Sequence, residues 1–155
     1  MAHLTEADRR WIERASANKK NSHDLETQVG AVIASGDKLI SDGANRLPLG
    51  VQSNVERTTA PGKYDWIVHA EQIAIANVHR PHNKHQDKDL YYATLYCTAP
   101  MCGDCMKAVI MSGIRRVVMP SRMEWDGRNK NWRSSMYRAE KMAEEAGIEL
   151  IHYGI

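Results

Sequence analysis

An α/β layered fold around one mixed sheet is what this sequence predicts, on three observations. Strand-like and helix-like segments alternate after an opening hairpin, in the order α-β-β-α-β-α-β-α-β. The 155 residues suit one domain, 1–155, with one sizeable core. With 43% hydrophobic and 26% charged residues the composition is that of an ordinary globular chain, and no apolar run approaches the ~18–20 residues that cross a bilayer.

Each element has a local reason. Thr5 with Asp8 is a variant of the capping box, and Ala7, Trp11, Ile12 and Ala15 form the apolar stripe of a first helix that fades through Lys19–Ser22. Val29–Ala34 is short, apolar and β-branched. Ser35-Gly36-Asp37 supplies a turn, and Lys38–Ala44 is the returning strand of the hairpin. From Arg46 to about Tyr64 there is no period, and Pro48, Gly50, Pro61 and Gly62 interrupt it. This stretch is either a lid or substrate loop or a tolerated surface insertion. A helix covers His69–Val78 and ends before Pro81, and His79, His82 and His85 fall in a polar loop. Leu90–Thr98 reads as a strand. Cys102–Ser112 reads as a helix closed by Gly113, a common residue just past a helix end. Ile114–Met119 is a strand, Trp132–Ala146 a helix with Trp132, Met136, Ala139 and Ala143 on one face, and Ile148–Tyr153 the last strand.

Charge and cysteine use narrow the function classes. A net charge of +2 gives no support for a broad nucleic-acid surface. The N-terminal MAHLTEADRR lacks an apolar signal core, and three cysteines make no disulfide scaffold, so the expected location is the cytoplasm. There is no Phe, which leaves any aromatic wall of a pocket to Trp and Tyr.

Two motifs carry chemistry. His69-Ala70-Glu71 and Cys102-Gly103-Asp104-Cys105 each open a predicted helix. Either alone is weak. Together they supply His69, Cys102 and Cys105, three ligands, the number a catalytic zinc site uses when its fourth position is kept for water. Cys102 and Cys105 share one face of a first helical turn, and a helix N-terminus favours thiolates. Glu71 projects differently from His69 and suits proton transfer beside a zinc-activated water. The H-x-E…C-x-x-C pattern is the signature of zinc-dependent hydrolytic deamination. A structural zinc site would need a fourth ligand from His79, His82, His85 or Cys97 and would leave Glu71 without a task. A redox pair would leave the whole H-x-E without one. Cys97 itself, near a strand end, reads as a small core residue.

With these motifs the chain resembles the cytidine deaminase superfamily, and within it the deoxycytidylate (dCMP) deaminases. The matching pieces are Gln28–Ile33, Gly43-Ala44-Asn45, Lys63–Glu71, Met101–Lys107 and Ser112-Gly113-Ile114. The resemblance implies a three-layer α/β/α fold with a five-stranded mixed sheet. It implies Zn2+ held by His69, Cys102 and Cys105, with Glu71 as proton shuttle. Asn45 matches the residue that contacts the substrate sugar, and the Ala70 backbone matches the group that recognises the pyrimidine edge. The reaction implied is dCMP to dUMP and ammonia, in a homo-oligomer, usually a hexamer. A nucleotide phosphate needs a cation, and Arg46, Arg57, Arg122 and Arg128 lie on candidate loops, while Trp125 is placed to stack or cover.

The sequence departs from the family pattern at Met101, where proline ordinarily precedes the first cysteine, and at Gly43-Ala44-Asn45-Arg46, where the family has G-Y-N-G. The turn Asn45-Arg46-Leu47-Pro48 is partly similar to that of tRNA adenosine deaminases. Two readings therefore stand beside dCMP deamination. One is the same chemistry on a free base, nucleoside, other amino-heterocycle or tRNA adenosine. The other is a tRNA- or partner-binding subunit with a structural zinc.

Overall fold

The computed structural model describes residues 3–85, 88–125 and 130–154. Five strands form one sheet in the order β2-β1-β3-β4-β5. The hairpin strands β1 (Gly30–Ser35) and β2 (Lys38–Ala44) are antiparallel, and β1 also pairs antiparallel with β3 (Thr94–Cys97). Strands β3, β4 (Arg116–Pro120) and β5 (Glu149–Tyr153) run parallel. The sheet is therefore mixed, with the parallel half built by helical crossovers, as expected of alternating strands and helices.

Side chains alternate across the sheet and divide the core in two. Val32, Ala34, Tyr96, Val118 and Ile151 face α1 (Glu6–Ala17), together with Ala15, Trp11 and Ile12 of that helix. Ala31, Ile33, Leu95, Cys97, Val117 and Met119 face the other side, against Ala70, Ala74, Met106, Val109, Ala139 and Ala143. That side is covered by three helices, α4 (Ala70–Asn77), α5 (Gly103–Ser112) and α6 (Lys130–Glu145). The result is the three-layer α/β/α arrangement with a five-stranded mixed sheet.

The predicted caps form. Thr5 accepts from the Asp8 backbone and Asp8 from the Thr5 backbone, at 3.0 and 2.9 Å. Gly113 ends α5 with φ of 93°, in the left-handed region that favours glycine.

Two stretches differ from the sequence reading. Strand β3 starts at Thr94 and not at Leu90, because Leu90–Ala93 forms a turn closed by the Ala93 N–H donating to the Leu90 carbonyl. The aperiodic stretch after β2 contains two single helical turns, α2 (Val55–Thr58) and α3 (Lys63–Trp66). Its ends are joined: Arg46 and Val68 exchange both backbone hydrogen bonds, at 3.0 and 2.8 Å. The excursion is thus a closed loop tied at its base, not an open tether.

Topology puts many loops at one edge. The segment before β1, the segments after β2, β3 and β4, and the first turns of α4, α5 and α6 all meet there. In open α/β sheets the crevice outside the carboxyl ends of parallel strands is the usual ligand position.

Candidate active site

A cleft of about 520 Å³ opens at this edge. His69, Ala70 and Glu71 enter it from the start of α4, Cys102 from the start of α5, Asn45 from the end of β2, and Trp125 from the segment after β4. The helix starts matter chemically, because their free N–H groups and partial positive charge favour anionic donors.

His69 is the N-cap residue of α4, and Cys102 is the N-cap residue of α5 with Cys105 in its first turn. The donor atoms of His69, Cys102 and Cys105 lie within 4.8 Å of one another. Nδ1 of His69 is the ring nitrogen turned towards both sulfurs, at 3.2 Å from Cys105 Sγ and 3.5 Å from Cys102 Sγ. One imidazole nitrogen and two thiols converging in this way form a zinc-type donor set, and three protein donors leave one tetrahedral position open.

The protons on this group show how strongly it is coupled. The hydrogen bond from Cys105 is the main cause that lowers the Cys102 thiol to about 4, while the bond to Cys102 is the main cause that raises His69 to about 9. The hydrogen bond between Cys105 and Cys102, with burial, pushes Cys105 up. These directions favour loss of the Cys102 proton and a proton on the His69 ring, and a bound cation would take the place of protons on this donor set.

Glu71 is 5% exposed and lines the cleft, at the second position of α4. Its Oε1 accepts from the thiol of Cys97, with 3.1 Å between the heavy atoms. Cys97 is buried, as read from the sequence, but it is also a polar neighbour of the cleft carboxylate, which sequence spacing gave no sign of.

Asn45 lines the cleft with its amide already engaged. Its oxygen accepts from the Ser22 hydroxyl and from the Val29 N–H at 2.9 Å, and its nitrogen donates to the Thr27 carbonyl at 2.9 Å. It holds the 22–29 segment onto the sheet edge.

The arginine candidates fall elsewhere. Arg46 does not line the cleft, and its Nε donates to the Leu47 carbonyl at 3.1 Å. Arg57 stacks on Trp66, 3.8 Å from the ring centre. Arg122 pairs with Glu140 at 3.1 Å. Arg128 lies outside the described residues.

Among the described residues, the cation lining the cleft is Lys63, which composition and loop position did not single out. Its Nζ sits 3.1 Å from Asp24 and 3.4 Å from Glu26, and both Lys63 and Asp24 are buried. Asp24 also accepts the Glu26 and Thr27 N–H groups at 2.8 and 2.9 Å. The closed loop after β2 is thereby docked against the cleft and supplies Lys63, Tyr64 and Ile67 to its wall.

The aromatic wall is Tyr64, Trp125 and Trp132, the last stacked on His69 at 5.8 Å between ring centres. Ser135 of α6 accepts the Gly103 N–H at 2.9 Å and so serves one of the free donors at the start of α5. Met101, standing where the family pattern has proline, keeps an N–H that proline lacks, and that N–H donates to the Met119 sulfur at 3.3 Å.

Residues 5–121 match the family described as Cytidine and deoxycytidylate deaminase zinc-binding region. The chain is 30% identical, over 92% of its length, to the uncharacterized deaminase in the luxG 3′ region of Aliivibrio fischeri, of which it covers 90%. It is 31% identical to human deoxycytidylate deaminase over 69% of its length, and it spans 60% of the length of that enzyme. Among solved structures, the dCMP deaminase of cyanophage S-TIM5 in complex with dCMP and dUMP shares the fold at a TM-score of 0.72 and 20% identity, over 97% of this chain and 100% of that one. Zinc is the cofactor that this motif and its His/Cys/Cys group take. Given the converging donor set, the buried carboxylate beside it and a family match over most of the chain, the protein belongs to the cytidine and deoxycytidylate deaminase family of zinc-dependent hydrolases that cleave a C–N bond.

Proposed function

We propose that this chain converts dCMP to dUMP and ammonia. The observation that carries the chemistry is the buried Glu71 carboxylate in one cleft with His69 and Cys102, which together with Cys105 are the residues that would hold zinc. Bound zinc supplies Lewis-acid activation of water at neutral pH. Glu71 accepts one proton of the attacking water and delivers it to the ring nitrogen, where it stays in the product, and then carries the second water proton to the departing amine. A C–O bond forms at the ring carbon as the C–N bond breaks, so one water is consumed for each ammonia released. The Ala70 backbone borders the pyrimidine edge, Asn45 the sugar, and Trp125 with Trp132 walls the ring.

The dCMP assignment is supported by human deoxycytidylate deaminase and the Caenorhabditis elegans protein named "Probable deoxycytidylate deaminase" among the relatives, at 31% and 32% identity. The resemblance also leads us to propose a single deaminase domain assembled as a homo-oligomer, a hexamer by family habit, for which light scattering gives the mass. Among the described residues no helix is long and apolar enough to cross a membrane.

A second reading is favoured by one observation. Lys63 is already neutralised by Asp24 and Glu26, so a substrate without a phosphate would fit the described cleft with less rearrangement. A panel of dCMP, deoxycytidine, cytosine and purine bases, followed by ultraviolet shift and ammonia release, separates the two. Fastest turnover of dCMP supports the first reading, and fastest turnover of an uncharged compound replaces it with the second. Glu71→Ala is expected to retain zinc and lose turnover. A Glu71→Ala protein that works normally would sink the proton-transfer role.

A further inference from the structure

We infer that Cys97 is a positioning residue for Glu71, its thiol hydrogen holding Oε1 of the carboxylate so that Oε2 is the oxygen presented to the reacting groups. This rests on the reading of Glu71 as proton carrier. The chain has three cysteines, and two of them belong to the metal group. The third lies at the end of β3, on the sheet face that α4 covers, with its sulfur 3.1 Å from Glu71 Oε1.

The contact is built, not incidental. The Cys97 backbone is fixed on two sides, paired with Ala31 of β1 and with its carbonyl accepting the Tyr153 hydroxyl at 2.8 Å. The side chain is 1% exposed, so no water competes for the thiol hydrogen. Burial pushes this thiol up and the nearby Glu71 charge adds to it, so the hydrogen stays in place.

The metal group also makes Cys97 the durable partner. Metal-ligating cysteines bind as thiolates, so once Cys102 and Cys105 hold zinc neither has a proton to give Glu71. Cys97 keeps its own. A carboxylate with one oxygen pinned presents the other in a narrower range of positions, and proton transfer is sensitive to such placement. A purely apolar residue at this point would pack equally well and leave the carboxylate free to turn.

Two substitutions of opposite volume remove the donor. Zinc-loaded Cys97→Ala and Cys97→Val are both expected to lose about tenfold in kcat with KM changed less than about twofold, and Cys97→Ser to recover to within about threefold of the parent. Zinc content is measured on each. A parent-like kcat in the Ala and Val variants, or a Ser variant as slow as they are, overturns the inference. Glu71→Gln separates its fate from that of the reading beneath it. If Glu71→Gln turns over normally, the proton-carrier role fails. If it is inactive while Cys97→Ala and Cys97→Val run at the parent rate, only the positioning role fails.

A readout independent of turnover comes from Raman spectroscopy. In the zinc-loaded protein Cys97 carries the one S–H among the three cysteines. Its stretching band is expected at the lowered frequency of a hydrogen-bonded thiol and to rise in Glu71→Ala. A band that does not move on removing Glu71 overturns the inference.

Discussion

The charged side chains of the cleft differ in what they would lose if altered, and Lys63 is the clearest case. With Lys63 and Asp24 both buried, removing one charge strands the other, whereas removing both does not. Lys63→Met is therefore expected to lower stability by roughly 3–5 kcal/mol, and Lys63→Met with Asp24→Asn by clearly less. Urea midpoints of the two proteins decide it, and equal losses would show that the ion pair is not what Lys63 contributes. Asn45 belongs to the same set: its carbonyl oxygen serves Val29 and Ser22, so Asn45→Ala should cost about 1–3 kcal/mol from the buried groups it leaves unpaired. At this scale the metal motif was legible, because H-x-E and C-x-x-C are local spacings whose chemistry follows from residue type. Lys63 and the Cys97–Glu71 contact were not. Each depends on two segments that approach only through the fold, and a lone lysine in an aperiodic loop or a cysteine in a strand carries no local mark of its partner.

Elements meet through a few close approaches that can be tested one at a time. A Cβ placed on Gly43 would stand 2.8 Å from the Ala74 nitrogen and 2.9 Å from the Ala70 carbonyl oxygen, so β2 lies almost directly on α4. Ser41 and Asn77 reinforce this, donating to the Ala74 and Asp42 carbonyls at 2.7 and 2.9 Å. Gly43→Ala should push the helix that carries Glu71 away from the sheet, costing about 1–3 kcal/mol as an overpacked contact, with kcat falling alongside the thermal midpoint. On the opposite face Asp8 joins α1 to β3 and β4. It accepts two bonds from Arg116, at 2.8 and 2.9 Å, and one from the Tyr96 hydroxyl at 2.7 Å, besides closing the cap of α1. The Arg116 hydrogen bonds hold its carboxyl well below the usual carboxylate range. A carboxyl that titrates lower in the folded than in the unfolded protein stabilises in full above its unfolded value of ~3.9, and this is lost as pH falls further. Asp8→Asn should therefore be much less stable than the parent at pH 7, and the gap should narrow as the pH drops below about 4. A gap independent of pH in urea titrations would show that the cap and not the charge matters. The cap was visible in the sequence, from Thr5 and Asp8 three apart. Arg116 lies 108 positions from Asp8, and nothing local announces that pair. The loop after β2 was read as aperiodic for a related reason: backbone bonds at Arg46 and Val68 and the buried Lys63 order it, not a repeat of apolar residues.

For the whole molecule, the order of strands and helices was legible because each segment announces itself by period and punctuation, and that order restricts the sheet to few topologies. The meeting of His69 with Cys102 and Cys105 is a consequence of that topology. β2 and β3 are each antiparallel to β1 and so run the same way, which brings the starts of the following α4 and α5 to one sheet edge. The two helices pack on one another in the core beneath the cleft, and each has its own further support, α4 from β2 and β1 and α5 from α6, with Ser135 anchoring the start of α5. A zinc ion bound by His69 from one and by two cysteines from the other would add a link between their first turns, at the rim of the cleft. A ligand that binds the folded state alone raises stability by an amount that grows with the logarithm of its free concentration, about 4 kcal/mol at a thousand times its dissociation constant. Chelation of the purified protein is thus expected to remove about one zinc per chain, abolish turnover, and lower the thermal midpoint. Readdition should restore all three, with the midpoint rising steadily with free zinc. His69→Ala, which cuts the link on the α4 side, should leave a weaker dependence on zinc than the parent shows. A parent midpoint indifferent to zinc would mean that the helices are fixed by the sheet and by their own packing, and that the metal serves chemistry without tightening them.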